Sequence, residues 1–138
     1  MKKIIFLFLM SISISFSASA KKNDPPDAEI YFTGSDLDYV TPDIVMKFKG
    51  EKIKWKISEK AKIDICIKDE YVWPFKETSV SKHNLRCLKQ VNDNKVEANL
   101  LDFKGVPIPE GAYIEVGYSV FSEGNAGNKE IDPIIRIY

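Results

Sequence analysis

Residues 52–57 read Lys-Ile-Lys-Trp-Lys-Ile and place an apolar side chain at every second position. A period of two puts Ile53, Trp55 and Ile57 on one face of a β-strand and the three lysines on the other. The segment 63–67, Ile-Asp-Ile-Cys-Ile, repeats the pattern further along the chain. Both segments are therefore predicted to be strands with one face in a hydrophobic core and one face turned away from it.

The same alternation extends outward from these two segments. Apolar positions such as Ile44, Met46 and Phe48 recur at every second residue, and turn residues separate the segments. Further strands are expected at residues 28–32, 44–48, 96–100, 113–121 and 131–138. This spacing predicts an all-β fold, either a β-sandwich or a barrel, and we expect the first, a Greek-key β-sandwich of about 7–8 strands. The best helical candidate is a short turn within residues 79–88.

The first twenty residues have the pattern of a secretory signal peptide. Lys2 and Lys3 precede an unbroken apolar run over residues 4–10, and Ala18-Ser19-Ala20 ends the segment with small residues. We expect cleavage after Ala20, export to a bacterial periplasm or medium, and no membrane span after cleavage. Residues 21–138 are expected to form a single β-sandwich domain.

The charge balance argues against a nucleic-acid partner. Two of the 20 Lys and Arg residues lie in the leader and none of the 20 Asp and Glu residues do, so residues 21–138 carry a formal net charge of −2. A nearly neutral chain with mixed signs provides no basic field for nucleic acid or anionic lipid.

Cys66 and Cys87 are the only two cysteines, and in an oxidising compartment such a pair is expected to form a disulfide. One alternative is a copper or zinc site built from both thiolates and His83, which stands four residues before Cys87. A Cys87–His83 nucleophile pair would need a free thiol, which the compartment and the even cysteine count oppose.

Two pairs of neighbouring carboxylates, Asp36/Asp38 and Asp69/Glu70, have the composition of an acid–base pair. Their polar surroundings favour solvated loop acids instead. No catalytic residue and no cofactor are predicted, and the chain is not expected to be an enzyme.

The segment between the cysteines contains closely spaced aromatic residues. Tyr71, Trp73 and Phe75 alternate around Pro74, which keeps the stretch from forming an interior strand. Together with His83 they are the predicted binding surface, because a loop closed by a disulfide presents its side chains at low entropic cost. In the alternative, Trp73 and Phe75 cover the open end of the sandwich core.

Two parts of the chain resemble the cupredoxin family. Residues 41–55 are similar to the family's early hairpin, in which a Gly-Asp/Glu turn, here Gly50-Glu51, precedes a strand with an apolar-x-Trp pattern, here Ile53-Lys54-Trp55. The segment 110–113, Glu-Gly-Ala-Tyr, is similar to the entry of the penultimate strand. The resemblance implies a cupredoxin-like sandwich, with an immunoglobulin-like one as the alternative.

The family's copper function does not extend to this chain. A blue-copper centre needs two His and one Cys with a weak axial ligand. Residues 21–138 contain one histidine, and residues 122–128, in place of the family's ligand loop, contain no His, Cys or Met. Function therefore has to be argued from the chain's own residues.

These observations lead to three functional hypotheses. The leading one is an exported, non-enzymatic protein that binds a protein or envelope partner through the loop 66–87. The second is periplasmic copper or zinc handling through His83, Cys66 and Cys87. The third is an envelope or pilus-like structural subunit that pairs through an edge strand. The sequence does not specify an oligomeric state.

Overall fold

The computed structural model describes residues 25–34, 36–122 and 131–138, so the predicted leader lies outside the described residues. Every regular element in the described part is a strand. The ten strands are β1 Ala28–Thr33, β2 Asp36–Thr41, β3 Ile44–Lys47, β4 Lys52–Ile57, β5 Ile63–Ile67, β6 Val80–Lys82, β7 Leu85–Leu88, β8 Lys95–Asn99, β9 Ile114–Ser122 and β10 Ile134–Ile137. The described residues include no helix long and apolar enough to cross a membrane.

The strands form two sheets with the orders β2-β1-β4-β8 and β3-β10-β9-β5-β7-β6. Consecutive strands often belong to different sheets; β2 and β3, for example, follow one another across Pro42. Two pairs are parallel, β1 with β4 and β3 with β10, and the remaining pairs are antiparallel. The predicted all-β sandwich is confirmed.

The core lies between the two sheets and is centred on Trp55. The rings of Phe75 and Tyr118 meet its indole edge-on, with centroid distances of 6.2 and 5.7 Å. The indole Nε1–H of Trp55 donates a 3.0 Å hydrogen bond to the Tyr118 hydroxyl, which ties β4 of one sheet to β9 of the other. Burial raises the pKa of Tyr118, so the hydroxyl stays neutral and keeps this bond.

The alternation in residues 52–57 and 63–67 gives the correct buried faces. Ile53, Trp55 and Ile57 are buried on β4, and Ile63, Ile65 and Ile67 are buried on β5. Cys66 points away from the isoleucines, as the period of two requires. It lies opposite Cys87 on β7, and the two form the predicted disulfide.

The strand count exceeds the expected 7–8 because residues 36–41, where no strand was expected, form β2 and because residues 79–88 are not helical. They form the hairpin β6–β7, with His83 and Asn84 at φ values of 55° and 59°. Positive φ at both central residues is the requirement of a type I′ turn, whose twist matches that of the flanking strands. His83 and Cys87 are therefore not one helical turn apart. Asn84 is the sequence signal for this turn, since Asn tolerates left-handed backbone better than most residues.

Candidate functional site

Phe75 lies in the core and offers no surface to a partner. Its side chain is 2% exposed and packs edge-on against Trp55 and Trp73, the latter at 5.2 Å. Its backbone forms an isolated antiparallel bridge with Leu100, just beyond β8. Of the two sequence interpretations of this residue, the structure favours the lid on the core.

Trp73 is half-buried and serves the same lid. Its indole Nε1–H donates to the carbonyl oxygen of Glu77 at 2.8 Å. The Glu77 carboxylate accepts hydrogen bonds from the backbone N–H (2.8 Å) and the side-chain amide (2.7 Å) of Asn99. Desolvation acts to raise the pKa of Glu77, but the hydrogen bonds from Asn99 and the charge of Lys76 outweigh it and lower that pKa. The hydrogen bonds from Asn99 to the Glu77 carboxylate thus hold the loop against β8.

Tyr71 fastens the loop to the outer face of the six-stranded sheet. Its ring covers Gly117 on β9 so closely that a Cβ at that position would lie 2.8 Å from the tyrosine Cε2. The Tyr71 carbonyl accepts a 3.0 Å hydrogen bond from Arg86 Nη2. The neighbouring Val72 is 58% exposed. Tyr71 and Val72 therefore remain at the surface, and a side chain larger than hydrogen at residue 117 would displace them.

His83 lies at a separate place on the same sheet. Its ring stacks on Phe121 at a centroid distance of 4.0 Å, and its Nε2 lies 3.0 Å from Asp64 Oδ2. Lys82 Nζ lies 3.1 Å from the other oxygen of the same carboxylate. Among the described residues, no ring contact or hydrogen bond joins His83 to Tyr71, Trp73 or Phe75. The four predicted surface residues do not form one cluster.

The disulfide removes the free thiols that the predicted copper or zinc site and the Cys87–His83 nucleophile pair require. Because Cys66 and Cys87 are bonded to each other, neither sulfur is a thiolate that could bind copper or zinc or act as a nucleophile. The described residues contain no group of three His, Cys, Asp or Glu side chains placed to hold a metal ion. Of the predicted carboxylate pairs, Asp69/Glu70 is exposed, and Asp38 accepts a 2.8 Å hydrogen bond from the Thr33 hydroxyl.

A polar groove of about 570 Å³ opens beside Asp64. It is lined mainly by β5, β6 and the segment that follows β7, and Lys62, Lys82 and Lys89 contribute to it. Gln90 closes one wall by accepting from the backbone N–H of Ile63 at 2.8 Å and donating to the Ala61 carbonyl at 3.1 Å. The groove has mixed charge and matches no particular ligand.

Sequence reasoning missed a cluster of exposed apolar and aromatic side chains on the outer face of β3, β10 and β9. Met46 and Phe48 are 65% and 66% exposed, and Tyr113 is 40% exposed. Tyr138 connects them, because its ring lies 5.5 Å from Tyr113 and 6.4 Å from Phe48 while its hydroxyl lies 3.7 Å from Met46 Sδ. The Arg136 guanidinium lies 4.6 Å above the Tyr113 ring. We call Met46, Phe48, Tyr113, Arg136 and Tyr138 the aromatic patch.

The patch was missed because the strand 44–47 is apolar at three successive positions, so alternation alone cannot tell its buried face. The sequence interpretation placed Met46 and Phe48 with Ile44 as the apolar phase of the strand. In the structure Val45 is the buried residue and Met46 and Phe48 face outward. The register explains this, since Met46 lies beside Arg136 on β10 and Arg136 beside Glu115 on β9.

The disulfide-bounded loop approaches the same face from the other side. Gly117, which Tyr71 covers, is two residues along β9 from Glu115, whose carboxylate lies 3.6 Å from Arg136 Nε. The outer face of the six-stranded sheet therefore carries, in succession, the aromatic patch, the Arg136–Glu115 pair and the surface residues Tyr71 and Val72 of the loop. Comparisons of the chain with known protein families, curated proteins and solved structures found no match.

Proposed function

We propose that the chain is an exported, non-enzymatic binding protein whose partner, a protein of the cell envelope, docks on the aromatic patch. Export rests on the leader at residues 1–20, and it makes an envelope protein the natural class of partner. The observation that carries the proposal is the contiguous exposure of Met46, Phe48 and Tyr113 around Tyr138.

The composition of the patch supports a protein partner. Aromatic residues, Met and Arg are enriched at protein–protein interfaces, and buried aromatic anchors supply most of the binding energy there. The rings of Phe48 and Tyr113 are tilted by 58° and 59° to that of Tyr138. Such a surface is ridged, and it fits an irregular protein surface better than a planar ligand.

The loop 66–87 has a supporting role in this proposal. Its aromatic residues Trp73 and Phe75 close the core, while Tyr71 and Val72 extend the outer face beyond Glu115. The disulfide fixes the loop on β5 and β7, so this extension is rigid before a partner arrives.

Site-specific photo-crosslinking in cells that naturally produce the protein tests the proposal. A photoreactive phenylalanine analogue replaces Phe48 in one variant and Lys56, exposed on the outer face of the other sheet, in a control. We expect discrete protein adducts from residue 48 and none of the same mass from residue 56. Adducts that are absent, or identical for both positions, would overturn the proposal.

A second variant connects the adduct to the patch itself. Replacing Tyr113 by Ser in the residue-48 crosslinking variant removes a neighbouring exposed ring without entering the core. We expect the adduct yield to fall at least fivefold, whereas Val91→Ser, at an exposed position away from the patch, leaves it unchanged. An adduct whose yield does not change in Tyr113→Ser would show that the crosslinked protein does not bind through the aromatic patch.

A further inference from the structure

The aromatic patch borders a free sheet edge, because β3 pairs with β10 alone among the described strands. Ile134 N–H donates to the Asp43 carbonyl at 2.8 Å, and Tyr138 N–H donates to the Lys47 carbonyl at 2.9 Å. Residues of a strand alternate in the direction of their backbone groups, so the odd-numbered residues of β3 face β10. Ile44 and Met46 therefore direct their N–H and C=O groups away from the sheet.

This edge lacks the charges that protect the other three. Native sheets use charged side chains, prolines or bulges to keep their edge strands from pairing with other strands. The edge strand β2 carries Asp36 and Asp38, β8 carries Lys95 and Glu97, and β6 carries Lys82. The even-numbered residues of β3, Ile44 and Met46, are uncharged. The side chain of its one charged residue, Lys47, is only 15% exposed, against 54% for Lys82 and 50% for Lys95.

The edge segment is complementary to itself when two copies meet antiparallel about a two-fold axis at Val45. Ile44 of each copy then lies opposite Met46 of the second copy, and each such pair exchanges both of its backbone hydrogen bonds. Asp43 lies opposite Lys47 of the second copy, which already contacts Asp27 of its own chain, so no like charges meet at the ends of the paired segment. Pro42, which has no N–H, lies opposite Phe48, where the pairing ends.

We infer that the partner on this face is a second copy of the chain, joined through antiparallel pairing of the two β3 edges with Ile44 opposite Met46. The inference rests on the proposed function, since it names the protein that the aromatic patch meets. The two six-stranded sheets become one continuous sheet, and the two patches flank the joint on its outer face. The contact is isologous, so it closes at the dimer and does not propagate into a fibre.

Sedimentation velocity of the purified, disulfide-bonded protein from about 1 to 500 μM tests this inference, over the range where weak protein dimers form. We expect a concentration-dependent monomer–dimer equilibrium and no larger species. Met46→Lys places a charge at an exposed position of the edge and should weaken the dimer at least tenfold. The matched control Val91→Lys, also at an exposed apolar residue but away from the aromatic patch, should leave the dimer unchanged.

A disulfide trap tests the register. Ile44→Cys and Met46→Cys variants are oxidised separately and as an equimolar mixture. The antiparallel register brings residue 44 of one copy to residue 46 of the other, so the mixture should give at least fivefold more covalent dimer than either variant alone. Equal trapping in all three samples would overturn the register.

The outcomes separate this inference from the proposed function. A protein that stays monomeric at every concentration, or a dimer that Met46→Lys does not weaken, overturns the pairing of β3 edges. Photo-adducts from residue 48 to a different protein would then leave the proposed function standing. Absence of any adduct, together with a dimer that Met46→Lys weakens, overturns docking on the aromatic patch and leaves only the pairing of the β3 edges.

Discussion

Phe75→Ala tests whether the disulfide-bounded loop is a lid on the core. The ring is fully enclosed, and it packs edge-on against both Trp55 and Trp73. Removing a buried phenylalanine side chain to Cβ costs about 3–5 kcal/mol, from lost transfer energy and the cavity left behind. Each edge-to-face pair contributes about 0.5–1.5 kcal/mol beyond burial, so the upper half of that range applies here. We expect a loss of about 4 kcal/mol in the free energy of unfolding.

Two further substitutions in the same loop calibrate this value. Trp73→Ala removes one hydrogen bond, about 1 kcal/mol, one aromatic pair, about 1 kcal/mol, and the burial of half a large apolar side chain, about 1 kcal/mol. We expect a total loss of about 3 kcal/mol. Val72→Ala truncates an exposed side chain and should change stability by less than about 0.5 kcal/mol. The order of effect is therefore Phe75, then Trp73, then Val72.

Equilibrium urea unfolding, followed by far-ultraviolet circular dichroism and tryptophan fluorescence, measures all three. Coincident transitions by the two probes are required, because they justify the two-state free energies. A Phe75→Ala loss below about 1.5 kcal/mol would refute the reasoning, since truncating an enclosed phenylalanine typically costs about 3–5 kcal/mol. A Val72→Ala loss larger than that of Phe75→Ala would refute it equally.

Three other predictions concern the core and the loop. Replacing both Cys66 and Cys87 by Ala opens a loop with a sequence separation of 21, and urea unfolding should show a loss of about 3 kcal/mol; a loss below about 1 kcal/mol would contradict the loop-entropy argument. Tyr118→Phe leaves the Trp55 indole N–H without its partner and should cost about 1–3 kcal/mol, whereas an unchanged melting temperature would show that this bond adds nothing. Folding lowers the pKa of Glu77, so its carboxylate stabilises the fold fully at pH values above its pKa in the unfolded chain, and this stabilisation is lost as the pH falls through its pKa in the folded chain. Glu77→Gln should therefore flatten the fall in melting temperature between about pH 5 and 3. Parallel curves for the two proteins would contradict this.

Sequence alone predicts the strands whose two faces differ in chemistry. On β4 the lysines and the apolar residues alternate without exception, so both the strand and its buried face follow from the pattern. On β9 the alternate residues Val116, Tyr118 and Val120 are buried, and Ile114, in the same phase, is half-buried. The disulfide also follows from the sequence, because two cysteines in a chain that is expected to be exported have one way to pair.

Features that depend on tertiary contacts could not be predicted in the same way. The short segment 44–47 is apolar on both faces, and only the pairing of β3 with β10 decides that Val45 is buried and Met46 is exposed. The hairpin at residues 79–88 requires a positive φ at both His83 and Asn84, and a histidine does not by itself indicate such a backbone conformation. The cupredoxin resemblance stays a prediction.

The loop aromatics show a limit of reasoning from composition. An alternating run such as Tyr71, Trp73 and Phe75 is equally suited to binding a partner and to closing a core. The choice depends on what lies beneath, and here Trp55 lies beneath Phe75 while Gly117 lies beneath Tyr71. Neither contact is local in sequence, so no local pattern could have distinguished the two roles.

The disulfide between β5 and β7 also determines how the chain responds to tension. Stretching the protein by its two ends transmits force from residue 66 directly to residue 87, so the intervening residues carry no load. With a sequence separation of 21 and about 3.4 Å per extended residue, the fully stretched chain is about 70 Å shorter than its reduced form. The loop that closes the core would therefore remain a compact ring even while the strands around it were pulled apart.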